Sequence, residues 1–233
     1  MAKIIDGKAV SAAVRQEVAE EVKALSAAGI TPGLAVILVG DNPASRVYVN
    51  NKKKACAAVG MYSEEITLPA DISEEILLQT VARLNERRDI HGILCQLPLP
   101  SPLSDKAVIA AIRPEKDVDA FHAVNVGHIM IGDHTFLPCT PAGIMELLAR
   151  YDIAVDGKNC VVVGRSNIVG KPMAMLLLQQ NGTVTICHSH TKNLKEICRG
   201  ADILVAAVGK AGFITADMVK EGAVVVDVGM NRD

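Results

Sequence analysis

The stretch Val161-Val-Val-Gly164-Arg-Ser-Asn-Ile-Val-Gly170-Lys-Pro decides the fold of the C-terminal half of this chain. Its valines predict a buried strand, its glycines a tight loop, and the residues after Gly170 a helix. Such a turn points free N–H groups and the positive end of the helix dipole at one place, where an anion is favoured. The spacing is not G-x-G-x-x-G, because Ser166 stands at the second glycine position. An ordinary strand-to-helix turn therefore remains an alternative.

The same alternation of strand and helix extends outward from this turn in both directions. Continuous apolar runs predict buried strands, and apolar residues every three or four positions predict helices. Strands that alternate with helices of this length indicate βαβ units and a parallel sheet, hence an α/β fold. The predicted strands are 34–39, a segment near Ile66, 93–95, 159–163, 183–187, 203–207 and 224–228. The predicted helices are an opening helix with its apolar stripe over 10–25 that Gly29 ends, then 43–59, 74–85, 105–112, 139–151, 170–180, 192–199 and 216–220.

A proline-rich stretch, Leu97-Pro-Leu-Pro-Ser-Pro-Leu103, interrupts the alternation. Proline has no N–H to donate to a strand ladder, so this stretch is predicted to be a structured loop. A polar segment follows at Arg113–Asp119. We place a domain boundary there, with residues 1–119 in a first α/β domain and residues 120–233 in a second.

Composition narrows the possible partners and compartment. The chain has 233 residues, is 50% hydrophobic and carries a formal net charge of −2, so neither disorder nor a general attraction to nucleic acid is expected. No apolar run approaches the ~20 residues of a membrane span, and the N-terminus lacks a signal-type apolar block. The six cysteines are scattered without a C-x-x-C pair and are interpreted as small buried side chains. We expect a cytoplasmic protein with no membrane or nucleic-acid partner.

The end of the strand at 183–187 bears on which dinucleotide the Gly164 turn could bind. In NAD-binding units an acidic residue at this position holds the ribose 2′-hydroxyl, but here the strand ends Cys187-His-Ser-His190. A 2′-phosphate would be repelled by a carboxylate and bound by Ser189 and Arg165. The sequence therefore favours NADP over NAD. A solvated loop is the alternative for this segment, and the two histidines lack an obvious third ligand, so no metal site is predicted.

The first half offers a candidate base. Tyr48 and Lys52 are four residues apart on a predicted helix and share one face. Neighbouring cations and burial would both favour the neutral amine of Lys52, which could then accept a proton. A run of lysines is more commonly a solvated face. Gln96, Asp117 and Asp119 lie near predicted strand ends, where parallel sheets bind ligands, although each could equally cap a loop.

Six segments, in order, resemble one enzyme family: YVNNKKKACAAVG, HGILCQLPLP, PEKDVDAFH, PCTPAGI, VVVGRSNIVGKPMAMLL and AVVVDVGMNR. Together they are similar to the bifunctional methylenetetrahydrofolate dehydrogenase/methenyltetrahydrofolate cyclohydrolases. The resemblance implies an N-terminal αβα substrate and catalytic domain, a C-terminal Rossmann-type NADP-binding domain, and an active-site cleft between them. It also implies a folate substrate, one-carbon metabolism and a homodimer.

The resemblance assigns a role to each candidate residue. Lys52 would transfer protons, Gln96 would hydrogen-bond near it, Tyr48 would lie against the pterin, and Asp119 would accept the N–H groups of the folate head group. The implied substrate-binding residues are Tyr48, Lys52, Gln96, Leu97, Pro98 and Asp119. The implied cofactor contacts are Gly164, Arg165, Ser166, Ser189 and Met230.

Two departures from the family pattern leave alternatives open. Ala120 stands where the family has glycine in D-V-D-G-F, which would strain the backbone if φ is positive there. Family members also continue past the equivalent of Asp233 with a Pro/Gly-rich segment and a final helix, so we expect this chain to be truncated. The alternatives to a bifunctional enzyme are a monofunctional dehydrogenase and a catalytically inactive NADP-binding module.

Overall fold

The computed structural model describes residues 2–229, which form two compact α/β units. One unit is Asp6–Asn125, and the described residues on either side of it form the other. The predicted boundary lay near residue 120. Every strand pair found between named strands of the described chain is parallel, which confirms the predicted class of fold.

The first unit contains a three-stranded sheet in the order β2-β1-β3. A 3-10 turn at Pro114–Lys116 follows its last helix. In chain order its elements are α1 (Gly7–Ala27), β1 (Gly33–Val39), α2 (Pro43–Val59), β2 (Tyr62–Leu68), α3 (Glu74–Glu86), β3 (Gly92–Cys95) and α4 (Asp105–Ala111).

The central strand β1 is buried on both faces, which is why its sequence is continuously apolar. On one face Ala35, Ile37 and Val39 pack in a cluster with side chains of α3 and α4. On the other face Val36 and Leu38 pack with Val49 of α2. The sheet is therefore covered by helices on both sides, as the αβα prediction required.

Helix α2 has bounds that its sequence specifies directly. The Asn42 side chain accepts hydrogen bonds from the N–H groups of Ala44 and Ser45, and Pro43 occupies the first turn, where no N–H is needed. Gly60 ends the helix in the left-handed conformation, at φ 83°. These ends place Lys52 in the middle of α2, on a rigid element.

The second unit contains a four-stranded sheet in the order β5-β4-β6-β7. Its first strand, β4, is central, and the chain reverses direction across the sheet between β4 and β6. In parallel sheets this switch point, at the carboxyl ends of the strands, is where ligands bind. The elements are α5 (Ala123–Ile131), within which the division between the units falls, then α6 (Cys139–Arg150), β4 (Asn159–Val163), α7 (Gly170–Gln179), β5 (Thr183–Cys187), α8 (Leu194–Arg199), β6 (Ile203–Ala206) and β7 (Val224–Asp227).

The structure adds one helix and shortens another relative to the sequence predictions. Helix α5 was not predicted, because its apolar side chains do not follow one face: Val124, Met130 and Ile131 are exposed while Ile129 is buried. The segment predicted as a helix over 216–220 is a 3-10 turn at Ala216–Met218.

Between residues 2 and 229, no helix is long and apolar enough to cross a membrane.

Candidate active site

A lysine and a glutamine meet at the carboxyl end of the first sheet. Lys52 Nζ donates a hydrogen bond of 3.0 Å to Gln96 Oε1. Gln96 directly follows β3, and its backbone N–H continues the ladder by donating to the Ile37 carbonyl of β1 at 2.9 Å. Its side-chain Nε2 donates to the Leu97 carbonyl at 2.9 Å, which determines that the amide oxygen, and not the nitrogen, faces the lysine.

The aromatic ring of Tyr48 lies on the same side of α2 as this pair. Lys52 Nζ is 5.8 Å from the centre of the Tyr48 ring, within the range of a cation–π contact. Tyr48 is 41% exposed, so part of its ring is available to a ligand. The amine thus lies between an amide oxygen and a ring face, and the predicted sharing of one helix face by Tyr48 and Lys52 is confirmed.

Asp119 supplies an acidic group to the same region. Its carboxyl is partly buried, and burial raises its pKa to about 6, with the negative charge of Asp117 adding to the rise and the positive charge of Lys52 opposing it. At neutral pH the carboxylate remains mostly ionised and able to accept N–H groups. Lys52, Gln96 and Asp119 therefore offer a proton-transfer group, an amide that orients it, and an anionic acceptor.

The neighbours of Gln96 and Asp119 differ in how they contribute. Leu97 presents its carbonyl to Gln96 and packs its side chain against the core, while Pro98 is exposed.

Ala120 has φ 55° and is fully buried, so the alanine does occupy a left-handed position where the family has glycine. That conformation costs a non-glycine residue about 1 kcal/mol, which the burial of its methyl group, worth about 0.8 kcal/mol, largely offsets.

The glycine-bearing turn of the second unit is built by contact between its two glycines. Gly164 has φ 137°, and a Cβ there would lie 2.5 Å from the Ala207 carbonyl oxygen, at the end of β6. A Cβ on Gly170 would lie 2.2 Å from the carbonyl oxygen of Gly164 itself. The six-residue spacing therefore brings the start of α7 back against the end of β4, at the switch point of the sheet. An ordinary strand-to-helix turn does not require such a close approach.

Ser166 closes the loop between the two glycines. Its Oγ accepts hydrogen bonds from the N–H groups of Val169 and Gly170, at 3.2 and 3.3 Å, and its carbonyl accepts one from the N–H of Lys171 at 3.0 Å. The hydroxyl thus stabilises the first turn of α7. Its predicted contact with a cofactor stays a prediction.

The two residues predicted to hold a 2′-phosphate lie at one edge of this sheet. The Gly164 N–H donates to the Cys187 carbonyl at 2.8 Å, which joins the turn to the end of β5. Arg165 comes directly after Gly164, beyond the end of β4, and Ser189 comes two residues after Cys187, beyond the end of β5. Both side chains are exposed. This surface fits NADP, since close glycines admit a pyrophosphate and the edge carries a cation and a hydroxyl without a carboxylate. Met230 lies outside the described residues.

The two histidines on either side of Ser189 belong to a turn that the Thr191 N–H closes by donating to the His188 carbonyl at 2.8 Å. The N–H of His188 donates to Thr191 Oγ1 at 2.8 Å, and the N–H of His190 donates to Nδ1 of His188 at 3.1 Å. No group of three or more His, Cys, Asp or Glu side chains suited to a metal ion occurs within residues 2–229.

Comparison with known proteins adds the family. The catalytic-domain model of the tetrahydrofolate dehydrogenase/cyclohydrolase family matches residues 5–119, and its NAD(P)-binding-domain model matches residues 138–233. The chain belongs to this family. It is 58% identical over 231 residues to the bifunctional protein FolD of Acetivibrio thermocellus, which covers 99% of this chain and 81% of the relative.

Two solved structures show the same fold. The bifunctional FolD of Campylobacter jejuni superposes with a TM-score of 0.97 at 47% identity, covering 99% of this chain and 82% of that one. The FolD of Trypanosoma brucei, solved with NADP and an inhibitor, superposes with a TM-score of 0.92 at 41% identity, covering 98% and 79% of the two chains.

One feature of the part of the chain that matches the catalytic-domain model was not predictable from sequence patterns. Asp117 was one of several polar residues near strand ends, but it is 3% exposed and hydrogen-bonded to Asn125. In the sequence, Asp117 and Asn125 are only two polar residues eight positions apart, in a segment with no regular periodicity, so nothing predicts that they pair.

Proposed function

We propose that this chain is a bifunctional, NADP-dependent enzyme that oxidises 5,10-methylenetetrahydrofolate to the 5,10-methenyl form and hydrolyses that product to 10-formyltetrahydrofolate. The observation that carries the proposal is the Lys52–Gln96 hydrogen bond, found in a chain whose two parts both match the dehydrogenase/cyclohydrolase family. A monofunctional dehydrogenase would need the cofactor turn but not this pair.

The oxidation requires positioning more than a strong base. The bridging carbon of the substrate lies between two nitrogens, whose lone pairs expel hydride and leave a delocalised cation. NADP supplies the hydride acceptor when it is bound. We assign Asp119 to hold the folate head group through its N–H groups and Tyr48 to lie against the pterin, with Leu97 and Pro98 lining the substrate site. Each fixes the orientation on which hydride transfer depends.

The hydrolysis requires a group that moves a proton. Water adds to the methenyl carbon, the adduct loses a proton, and one carbon–nitrogen bond breaks to leave the formyl group on the other nitrogen. We assign the proton transfers to Lys52. Gln96 accepts one of the three N–H groups of its ammonium form and thereby aims the remaining ones, which supports a role in both taking and returning the proton.

The assignments follow a division of the chain into a folate-binding domain, residues 1–119, and an NADP-binding domain, residues 120–233. The proposed cofactor contacts are Gly164, Arg165, Ser166, Ser189 and Met230. The family resemblance further supports a cytoplasmic homodimer and a place in one-carbon metabolism, where formyl groups serve purine, methionine and histidine biosynthesis.

Two rates measured on the purified chain test the function. NADPH formation from 5,10-methylenetetrahydrofolate reports the oxidation, and the loss of methenyl absorbance reports the hydrolysis. We expect both above background, and faster oxidation with NADP than with NAD. Oxidation without hydrolysis would identify a monofunctional dehydrogenase, and neither rate with intact NADP binding would identify an inactive binding module.

A further inference from the structure

A buried carboxylate, Asp117, organises the segment that carries Asp119. It is 3% exposed, and its Oδ2 accepts two hydrogen bonds, from the His122 N–H at 2.8 Å and from Asn125 Nδ2 at 2.9 Å. Asn125 is 9% exposed, and its Nδ2 also donates to the Pro114 carbonyl at 2.9 Å. One amide group therefore ties the two ends of the segment 114–125 to the carboxylate in its middle.

The backbone of the segment is held at the same point. Asp117 bridges Ile93 in parallel, which attaches it to the edge of β3, and its carbonyl accepts the Ala120 N–H at 3.1 Å. Asp119 lies within the turn that this bond closes, directly before the left-handed Ala120. A shift of Asp117 would accordingly shift Asp119, because the turn has little other freedom.

We propose that Asp117 and Asn125 are positioning residues of the folate site: they hold the 117–122 turn so that the Asp119 carboxylate faces the substrate. The proposal rests on the proposed function, since it takes Asp119 as the acceptor for the folate head group.

The charged neighbours of Asp119 provide a pH-dependent readout of this placement. Burial raises its pKa, the Asp117 carboxylate raises it further from the same segment, and Lys52 on α2 lowers it. From β3, the Cys95 thiol also faces Asp119, but burial raises the pKa of that thiol to about 12, so it stays neutral. The neutral side chain of an Asp117→Asn variant would leave Lys52 as the nearest charge, and Asp119 would then ionise at lower pH.

Three variants and two measurements test the proposal. Asp117→Asn keeps the shape and an oxygen acceptor but removes the charge. Asn125→Ala removes the tie while keeping the charge. Asn85→Ala is the matched control, because Asn85 is also buried and also spans a loop, donating to the Ala111 carbonyl at 2.8 Å and accepting from the Arg113 N–H at 3.1 Å. The measurements are the carbon-13 NMR titration of the Asp119 carboxyl without ligand, and calorimetric binding of tetrahydrofolate across pH.

We expect Asp117→Asn to move the Asp119 titration, and the acid limb of tetrahydrofolate binding, to lower pH. Asn125→Ala should weaken tetrahydrofolate binding roughly tenfold, the equivalent of one hydrogen bond, with NADP affinity unchanged. Asn85→Ala should leave tetrahydrofolate binding intact at a similar loss of stability. An Asp119 titration unmoved by Asp117→Asn, or equal binding losses in the two asparagine variants, would overturn the proposal.

Failure of the function and failure of this inference remain distinguishable. If the wild-type chain binds no tetrahydrofolate, the proposed function is wrong. The NMR titration needs no ligand, and it still decides whether Asp117 controls the ionisation of Asp119.

Discussion

At the scale of single residues, the decisive group is the Lys52 amine. It contacts an amide oxygen and a ring face, and Asp119 is a nearby anion. Lys53 and Lys54, which follow it in α2, differ from it, because both are exposed. Position on the helix, and not membership of a lysine run, therefore distinguishes the proposed catalytic group from its neighbours.

Replacing Lys52 with methionine keeps an unbranched side chain one atom shorter but removes the amine that carries the proton. We expect Lys52→Met to abolish hydrolysis of methenyltetrahydrofolate and to reduce oxidation less, because only hydrolysis needs a proton carried to and from water. The loss of a general acid–base group is typically a factor of about 10²–10⁴ in rate. Both rates are measured on the same preparation, with Lys54→Met as the control on the exposed side of α2. Undiminished hydrolysis would contradict the assignment.

The raised pKa of Asp119 predicts how the free energy of unfolding depends on pH. Its pKa is about 6 in the folded chain and about 3.9 in an unfolded one, so the folded state binds more protons between these values, and stability falls as pH rises through that interval. Asp119→Asn removes this loss. We expect the variant to be more stable than wild type by about 1–3 kcal/mol above pH 7 and little different near pH 4, measured by urea unfolding. A difference independent of pH would contradict the raised pKa.

At the scale of elements, the turn between β4 and α7 is the most constrained piece of the second unit. Its two glycines contact each other and the end of β6 through backbone atoms, which cannot move aside as a side chain can. This constraint was only partly predictable. The sequence predicted a strand, a loop and a helix, but a spacing of six gave no indication that Gly170 lies against Gly164.

Alanine at either glycine should disrupt cofactor binding. Gly170→Ala places a methyl group on the Gly164 carbonyl, so we expect the loop to open and NADP affinity to fall by a factor of 10 or more, in line with a displaced binding group. The control is Gly143→Ala, since a Cβ at Gly143 in α6 meets nothing within 4 Å and should stabilise the helix slightly. Fluorescence titration with NADPH measures both. Equal affinities in the two variants would show that the turn does not form the site.

Elements with strong local signals were predicted closely, and elements that depend on tertiary contacts were not. Helix α2 was predicted to within its caps because Asn42, Pro43 and Gly60 each act through neighbouring backbone. At the start of helix α5 the Val124 N–H donates to Nδ1 of His122, which is not one of the usual capping residues, and the helix exposes apolar residues on several sides, so neither a cap nor a periodicity revealed it. The Asp117–Asn125 hydrogen bond depends on a turn that only the folded chain contains.

At the scale of the whole molecule, the net charge of −2 conceals a local arrangement suited to an anionic cofactor. Arg165 and Ser189 follow the carboxyl ends of the neighbouring strands β4 and β5, and the stretch Cys187–His190 contains no carboxylate. Composition therefore predicts no general affinity for polyanions, and it does not describe the place where a phosphate is expected to bind.

Ligand-induced stabilisation should reveal this arrangement in the intact chain. A ligand at 100 times its Kd stabilises the native state by about 2.7 kcal/mol, so tighter binding at equal concentration gives a larger rise in Tm. We expect NADP to raise Tm more than NAD does, and Arg165→Ala to reduce the difference by weakening the NADP effect alone. Arg199→Ala, at the end of α8, serves as a surface control. A greater stabilisation by NAD would refute the predicted preference.

The contact between Gly164 and Gly170 also bears on how such a chain can diversify. Backbone contacts set the outline of the loop and the Ser166 hydroxyl caps its far end, so the other exposed positions between the glycines can change identity without changing its path. Selection for a different cofactor, in nature or by directed evolution, can therefore explore Arg165 and the His188–His190 turn while the two glycines remain fixed. The glycines that shape the loop and the side chains expected to discriminate between cofactors can therefore be mutated separately.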